Sequence, residues 1–334
     1  MAYITLNKNN FFNNLDIITQ QTKSKNKIAL VLKDNAYGHG ILEVASMAKE
    51  YGIKKAVVRC EVEACMVEDM FEYILVLNDY PSKPTKHIRY TINDINSIKK
   101  FPKGCVVELK VDTGMQRNGI SFSQIKEALK LIDECGLVLD GVFTHHRCAD
   151  ELSSEWFWQN ERFKSVKELV KTLGYSVKFH SANSASLFRY EDFDEDMARV
   201  GIAVYGCMEL PKVFDKTNSL KPVLSLYANK ISSRKVLANT KIGYGSTYEF
   251  EKDCVVSNYD FGYGDGFLRG CSNNYTTPKN KKLVGRISMD NSSFVAEEDE
   301  LLIFDDAREV AKKANTISYE VLTSLKHYMK RVVV

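Results

Sequence analysis

The sequence predicts an α/β chain in two parts, a (β/α)8 barrel over residues 1–215 followed by a mostly β domain over 216–334. Three observations carry that expectation. Short apolar runs alternate with helix-period segments through the first two thirds, and eight such runs can be read. After about residue 215 the texture changes to strand-like pieces divided by Gly, Asn, Ser and Asp turns.

The runs are "KIALVL" (27–32), "KAVVRC" (55–60), "EYILVLN" (72–78), "HIRYTI" (87–92), "CVVELKVD" (105–112), "LDGVFTHH" (139–146), "YSVKFHSAN" (175–183) and "ARVGIAVYG" (198–206). Between them lie amphipathic stretches such as "ILEVASMAKEY" and "SQIKEALKLIDEC", with apolar residues three and four apart. Nearly continuous apolar strands read as parallel and covered on both faces. Eight of them in about 200 residues suit a closed barrel, with an open doubly wound sheet as the alternative. "NNFFNNLDIITQQT" predicts a helix ahead of the first strand, and "AREVAKKAN" is the one late helix candidate.

A chain of 334 residues exceeds one ordinary core. Its 46 Lys and Arg against 43 Asp and Glu leave a charge of +3 with no long run of one sign, which argues against nucleic-acid or membrane-surface binding. No basic leader precedes an apolar stretch at the start, and no run is long enough to span a bilayer, so a cytoplasmic enzyme or binding protein is expected. The eight cysteines (60, 65, 105, 135, 148, 207, 254, 271) have no C-x-x-C pairing and read as free thiols, with no metal site.

In a barrel, chemistry gathers at the carboxyl ends of the strands. Lys33, Arg117, His145, Asn183, Ser184, Arg199 and Gly201 all fall there. A desolvated lysine is a usable nucleophile toward an aldehyde, although a lone lysine at a strand end also snorkels to water or pairs with Asp34. In "NAYGHG" the small residues let backbone approach a ligand and Tyr37 offers a hydroxyl. "ANSAS" and "RVGIAVYG" offer a serine hydroxyl and backbone N–H groups suited to a phosphate.

The motifs "VLKDNAYGHG", "LKVDTGMQRNGI", "FTHH", "HSANSAS", "ARVGIAVYG", "KIGYGSTY", "FGYGDGFLRG", "VGRISMD" and "ISYEVL" run from Lys33 to Leu322. In order and spacing they resemble the alanine racemases. The resemblance implies a pyridoxal-phosphate enzyme working as a head-to-tail homodimer, with alanine interconverted between L and D forms to supply peptidoglycan.

It also implies a role for each matching residue. Lys33 carries the cofactor; Tyr37, Ser184, Gly201, Ile202 and Tyr319 hold its phosphate. Arg199 faces its pyridine nitrogen, and His145 hydrogen-bonds that arginine. Lys33 and Tyr244 are the two bases, with Tyr244 reaching the site from the second subunit; chemistry alone leaves Tyr248 open, and the motif selects Tyr244. A phenol is a poor base at neutral pH, so Arg199, relayed through His145, is the candidate source of activating charge. Arg117 and the backbone N–H of Met289 receive the substrate carboxylate. Tyr263, Arg286 and Asp290 line the entrance, and Lys110 matches a lysine often carbamylated.

The chain departs from the pattern at Asp34, where alanine is usual, at His146 and Arg147 after the barrel histidine, and in its ending "LKHYMKRVVV". A racemase of broader specificity, for serine or basic amino acids, would share every catalytic residue. A decarboxylase of the same fold should carry a glutamate in place of Arg199 and a Cys-Asp pair, which the chain lacks. A non-catalytic cofactor carrier would lack the β domain with Tyr244.

Overall fold

A short strand, β1 (Tyr3–Leu6), and a helix over Lys8–Thr22 precede the first barrel strand in the computed structural model, which describes residues 1–214 and 219–334. The boundary expected between 215 and 216 lies outside the described residues. The helix starts where Asn7 accepts a hydrogen bond from the Asn10 N–H at 2.9 Å, and it buries Phe11, Leu15 and Ile18 on one face.

The barrel strands are β2 (Ile28–Val31), β3 (Lys55–Val58), β4 (Tyr73–Val76), β5 (Ile88–Ile92), β6 (Val106–Lys110), β7 (Val138–Phe143), β8 (Lys178–His180) and β9 (Ala198–Val200). They form one eight-stranded sheet in the order β8-β7-β6-β5-β4-β3-β2-β9, every registered pair parallel. β2 and β4 are buried throughout, which is why they read as unbroken apolar runs.

β8 and β9 end that order, and no regular ladder joins them. Two backbone bonds cross the gap, Asp196 N–H to the Phe179 carbonyl at 3.2 Å and Arg199 N–H to the Ala182 carbonyl at 2.9 Å. Carboxylates satisfy the other donors. Asp196 accepts from Phe179 N–H at 2.7 Å; Glu195 accepts from the Ser181 N–H, from its hydroxyl at 2.8 Å and from Ala182 N–H at 3.3 Å. The barrel is closed, and this seam borders the strand that carries Arg199.

Glu195 is buried and also pairs with Lys167 at 3.1 Å. Glu195→Ala therefore leaves two backbone donors and a cation without their acceptor, and should cost about 3 kcal/mol. A urea unfolding midpoint unchanged from the parent protein would contradict this account of the seam.

The second sheet is built from β1, β10 (Leu224–Val236), β13 (Cys254–Tyr259), β14 (Ser292–Phe294), β15 (Glu300–Phe304) and β16 (Lys330–Val333). The chain segment joining β10 to β13, which pair directly, carries a separate two-stranded ribbon of β11 (Lys241–Ile242) and β12 (Tyr248–Glu249). Residues 3–6, expected in the barrel domain, belong instead to the second sheet: β1 lies between β10, antiparallel, and β16, parallel. Its alternation, with Ile4 and Leu6 buried, is that of a sheet with one covered face.

Beside the expected late helix (Ala307–Ala314), capped by Asp306, a further helix runs over Ser318–Ser324. It carries Tyr319 to the barrel mouth. Arg331 of β16 reaches the same region, donating to the Gly38 carbonyl from Nε at 3.0 Å and from Nη2 at 2.9 Å. Among the described residues no helix is long and apolar enough to cross a membrane.

Candidate active site

Lys33 stands just beyond β2, and the chain then makes a left-handed turn. Asp34, Asn35, Ala36 and Tyr37 have φ of 54, 55, 53 and 50°. Each such residue other than glycine costs roughly 1–2 kcal/mol, so the turn must be held from outside. Glu63 accepts from Asp34 N–H at 2.7 Å and, with its other oxygen, from Arg59 N–H at 2.7 Å. Asn35 Oδ1 accepts from Ile41 N–H at 2.9 Å, and Gly38 N–H returns to the Asp34 carbonyl at 3.1 Å. The strain is concentrated at the lysine, as is common where a site is preorganised. Asp34 turns toward Arg59, 3.0 Å from its Nη1, and stays 3.8 Å from Lys33 Nζ.

The turn brings Tyr37 against Gly201. A methyl on Gly201 would lie 2.9 Å from the Tyr37 hydroxyl, so this approach needs glycine. Beside it Ser184 Oγ accepts from Gly201 N–H at 3.0 Å, and Tyr319 meets the Tyr37 ring edge-on at 5.7 Å. Burial raises the pKa of both phenols, so they remain hydrogen-bond donors at neutral pH. Two phenols, a serine hydroxyl and the backbone around Gly201 and Ile202 form a cradle for an anion. Gly201→Ala should displace Tyr37 and weaken binding of a phosphate-bearing ligand on the order of tenfold, about 1.4 kcal/mol; an unchanged Kd by fluorescence titration would contradict that packing.

Arg199, on β9, is buried. Its Nη2 donates to the carbonyls of Thr144 at 2.7 Å and Ser181 at 3.1 Å, and its Nη1 donates to His180 Nδ1. Nε takes none of these partners. Burial lowers the guanidinium to about 10, with Glu195 and Glu108 opposing, so it stays cationic at neutral pH. The histidine bonded to Arg199 is thus His180 and not His145. His180 ends β8, next to β9 across the seam, whereas His145 follows the end of β7 and faces the mouth.

One cavity of about 510 Å³ collects Lys33, Tyr37, Lys110, Arg117, His145, Ser184, Arg199, Gly201, Ile202 and Tyr319 along its walls. Lys110 is buried and pushed down to about 8, first by desolvation and then by Arg117 and Arg199. Burial, with Arg199 next, holds the His145 imidazole well below its ordinary value, so it is neutral at pH 7. Arg59 and Arg147 add positive charge to a lining whose one carboxylate is Asp150.

Tyr244, Tyr263, Arg286, Met289 and Asp290 are not among the residues lining this cavity. They sit on the β domain, where Tyr244 is 68% and Met289 56% exposed. Tyr263 N–H donates to the Ser288 carbonyl at 3.0 Å and Gly264 N–H to that of Met289 at 2.7 Å, so Tyr263 and Met289 share one loop pair. The chain therefore presents a concave site around Lys33 and, apart from its lining, exposed residues on the β domain that include Tyr244 and Met289.

Sequence reasoning missed His180, Glu108 and Tyr73. Glu108 accepts from Tyr73 OH and lies 2.7 Å from His180 Nε2. The signal was present: a carboxylate inside the apolar run "CVVELKV", two residues before Lys110, falls on the same face of its strand.

A family model described as the alanine racemase N-terminal domain matches residues 6–209, and one described as the alanine racemase C-terminal domain matches 223–333. The alanine racemase of a Nitratiruptor species is 44% identical over 336 residues, covering 99% of each chain. Among solved structures, an alanine racemase from Clostridium difficile 630 superposes with a TM-score of 0.90 at 26% identity, covering all of this chain and 95% of that one. One from Bartonella henselae, described as having covalently bound pyridoxal phosphate, superposes at 0.85 with 24% identity, covering 100% and 99%.

Proposed function

Because the chain belongs to the alanine racemase family, we propose that it interconverts L- and D-alanine with pyridoxal phosphate held on Lys33. The observation that carries this reading is the single cavity in which an amine, an anion cradle and the donor-only Arg199 meet. These residues fit the cofactor: Gly201 lets the Tyr37 hydroxyl pack close beside Ser184, Ile202 and Tyr319, a group of donors suited to a phosphate, and Lys33 lines the same cavity. When bound, pyridoxal phosphate supplies an electron sink that stabilises the charge left at the substrate's α-carbon.

Arg199 cannot accept a proton at neutral pH, so facing the bound cofactor it would leave the ring nitrogen unprotonated and would limit charge flow into the ring. Lys33 Nζ, freed when the substrate's amine takes its place, would exchange the α-proton on one face. Tyr244 Oη of the partner subunit exchanges it on the other, a role its exposure supports. Arg117 and the Met289 N–H orient the carboxylate, and Tyr263, Arg286 and Asp290 narrow the entrance. His145, neutral, lies beside Arg199 as a cofactor contact. The active species in this reading is a homodimer acting in the cytoplasm.

The cationic lining disfavours lysine or arginine as substrate, because a second positive charge would enter beside Lys110, Arg117 and Arg147. Incubation of the purified protein with L-alanine should give D-alanine by chiral chromatography. No D-alanine, with faster turnover of serine or a basic amino acid, overturns the assignment. Use of the product in peptidoglycan is tested by restoring growth to a bacterium that requires D-alanine.

Lys110 is a candidate for carbamylation. Carbon dioxide adds to the neutral amine, whose nitrogen releases one proton to solvent to leave a carbamate anion, and an amine near 8 is neutral in a substantial fraction at slightly alkaline pH. The added anion would face Arg117. The expected result is a carbamate signal in 13C NMR with labelled bicarbonate, growing as pH rises and missing in Lys110→Ala. Its absence in the parent protein removes the modification from this chain.

A further inference from the structure

Glu108 lies in β6 with its side chain fully buried, and none of the roles above uses it. Its partners define its state. Arginine only donates, so His180 Nδ1, which faces Arg199 Nη1, is an acceptor and carries no proton. The ring proton is then on Nε2, 2.7 Å from Glu108 Oε2. The other carboxylate oxygen accepts from Tyr73 OH. Phe143 stacks on the imidazole at 4.8 Å and 9° and fixes its plane. The result is a buried line of carboxylate, neutral imidazole and guanidinium whose charges cancel.

We infer that Glu108 is a positioning residue for Arg199: it sets the His180 tautomer that the guanidinium needs as its acceptor, and it balances the arginine's charge inside the barrel. This is the arrangement by which a carboxylate behind a ligating histidine fixes the ring's tautomer in metal sites, here directed at an arginine. With both Nη atoms committed, Arg199 is left one direction for Nε. The inference rests on the reading of Arg199 as the partner of the cofactor's ring nitrogen.

The test is ring 15N NMR of histidine-labelled full-length protein, with and without pyridoxal phosphate, the His180 signals identified by their loss in His180→Gln. At neutral pH the expected pattern is a protonated Nε2 and an unprotonated Nδ1. A proton on Nδ1, or on both nitrogens, overturns the inference. Glu108→Leu removes the Nε2 acceptor and leaves only the Arg199 donation to Nδ1 to hold the tautomer, so it should weaken the preference and move the two shifts measurably closer, while Tyr73→Phe should leave them unchanged. Shifts in Glu108→Leu identical to those of the parent, or equal effects of the two variants, count against it. If Glu108→Leu does not fold, the parent and Tyr73→Phe spectra still decide.

A second measurement separates positioning from packing. Glu108→Leu should weaken pyridoxal phosphate binding to the stripped protein on the order of tenfold or more, and leave inorganic phosphate binding unchanged. Equal weakening of both ligands makes Glu108 a packing residue and overturns the inference. The tautomer is read without turnover. Racemisation with the wrong tautomer therefore defeats this inference alone, and the right tautomer without racemisation defeats the proposed function alone.

Discussion

Lys33→Ala should purify colourless and racemise alanine about 10⁴-fold or more slowly, because one substitution removes both the cofactor's covalent anchor and a proton-transfer group. The fold should survive. Lys33 is partly exposed, its ion pair with Asp34 is long at 3.8 Å, and such pairs contribute little. The cradle of Tyr37, Ser184 and Gly201 remains, so pyridoxal phosphate should still bind, reversibly and removable by dialysis. A yellow protein after dialysis would mean that another amine carries the cofactor. Lys110, buried in the same cavity, would be the first suspect.

Tyr244→Phe should slow racemisation by about 10²–10⁴-fold and keep the yellow colour. Exchange of the α-proton with solvent deuterium should be lost from one enantiomer and persist from the other. If neither enantiomer loses exchange, the two-base assignment is wrong. The exposed position of Tyr244 adds a complementation test. Mixed dimers of Lys33→Ala and Tyr244→Phe subunits hold one site with both residues intact and one with neither. Random mixing of the two inactive proteins should restore roughly a quarter of the parent activity, as expected for sites shared across a two-fold interface. No recovery, with mixed dimers seen by native mass spectrometry, would put Tyr244 outside the partner's site.

The barrel was legible because its strands are covered on both faces, and each apolar run overlaps one of β2 to β9, though the runs at 175–183 and 198–206 hold strands of only three residues. Closure was not legible in those runs, since it depends on Glu195 and Asp196 meeting backbone donors across the seam. β1 escaped notice because four alternating residues carry little signal and its partners are distant in sequence. The helix at Ser318–Ser324 is short and lacks a side-chain cap. The motifs pointed to residues that line one cavity, among them Lys33, Tyr37, Ser184 and Arg199, whereas the hydrogen-bond partner of Arg199 is His180 and not the expected His145: such partners depend on which strands flank the seam, and the order of motifs does not encode that. The left-handed turn at Asp34–Tyr37 was hidden for a related reason, its strain being held by Glu63 and Arg59 from the next strand-helix unit.

The position of β1 bears on how the protein is made. The strand that lies in the interior of the second sheet leaves the ribosome before the barrel, and its neighbours follow only after it, with Leu224–Tyr227 and then Lys330–Val333. Throughout synthesis of the barrel it waits with both edges open, an invitation to pair with another nascent chain. Cutting the chain between the barrel and β10 would accordingly yield two incomplete pieces, a barrel bearing an orphan strand and a sheet with a slot between β10 and β16. Fragments divided there should recover structure only by finding each other.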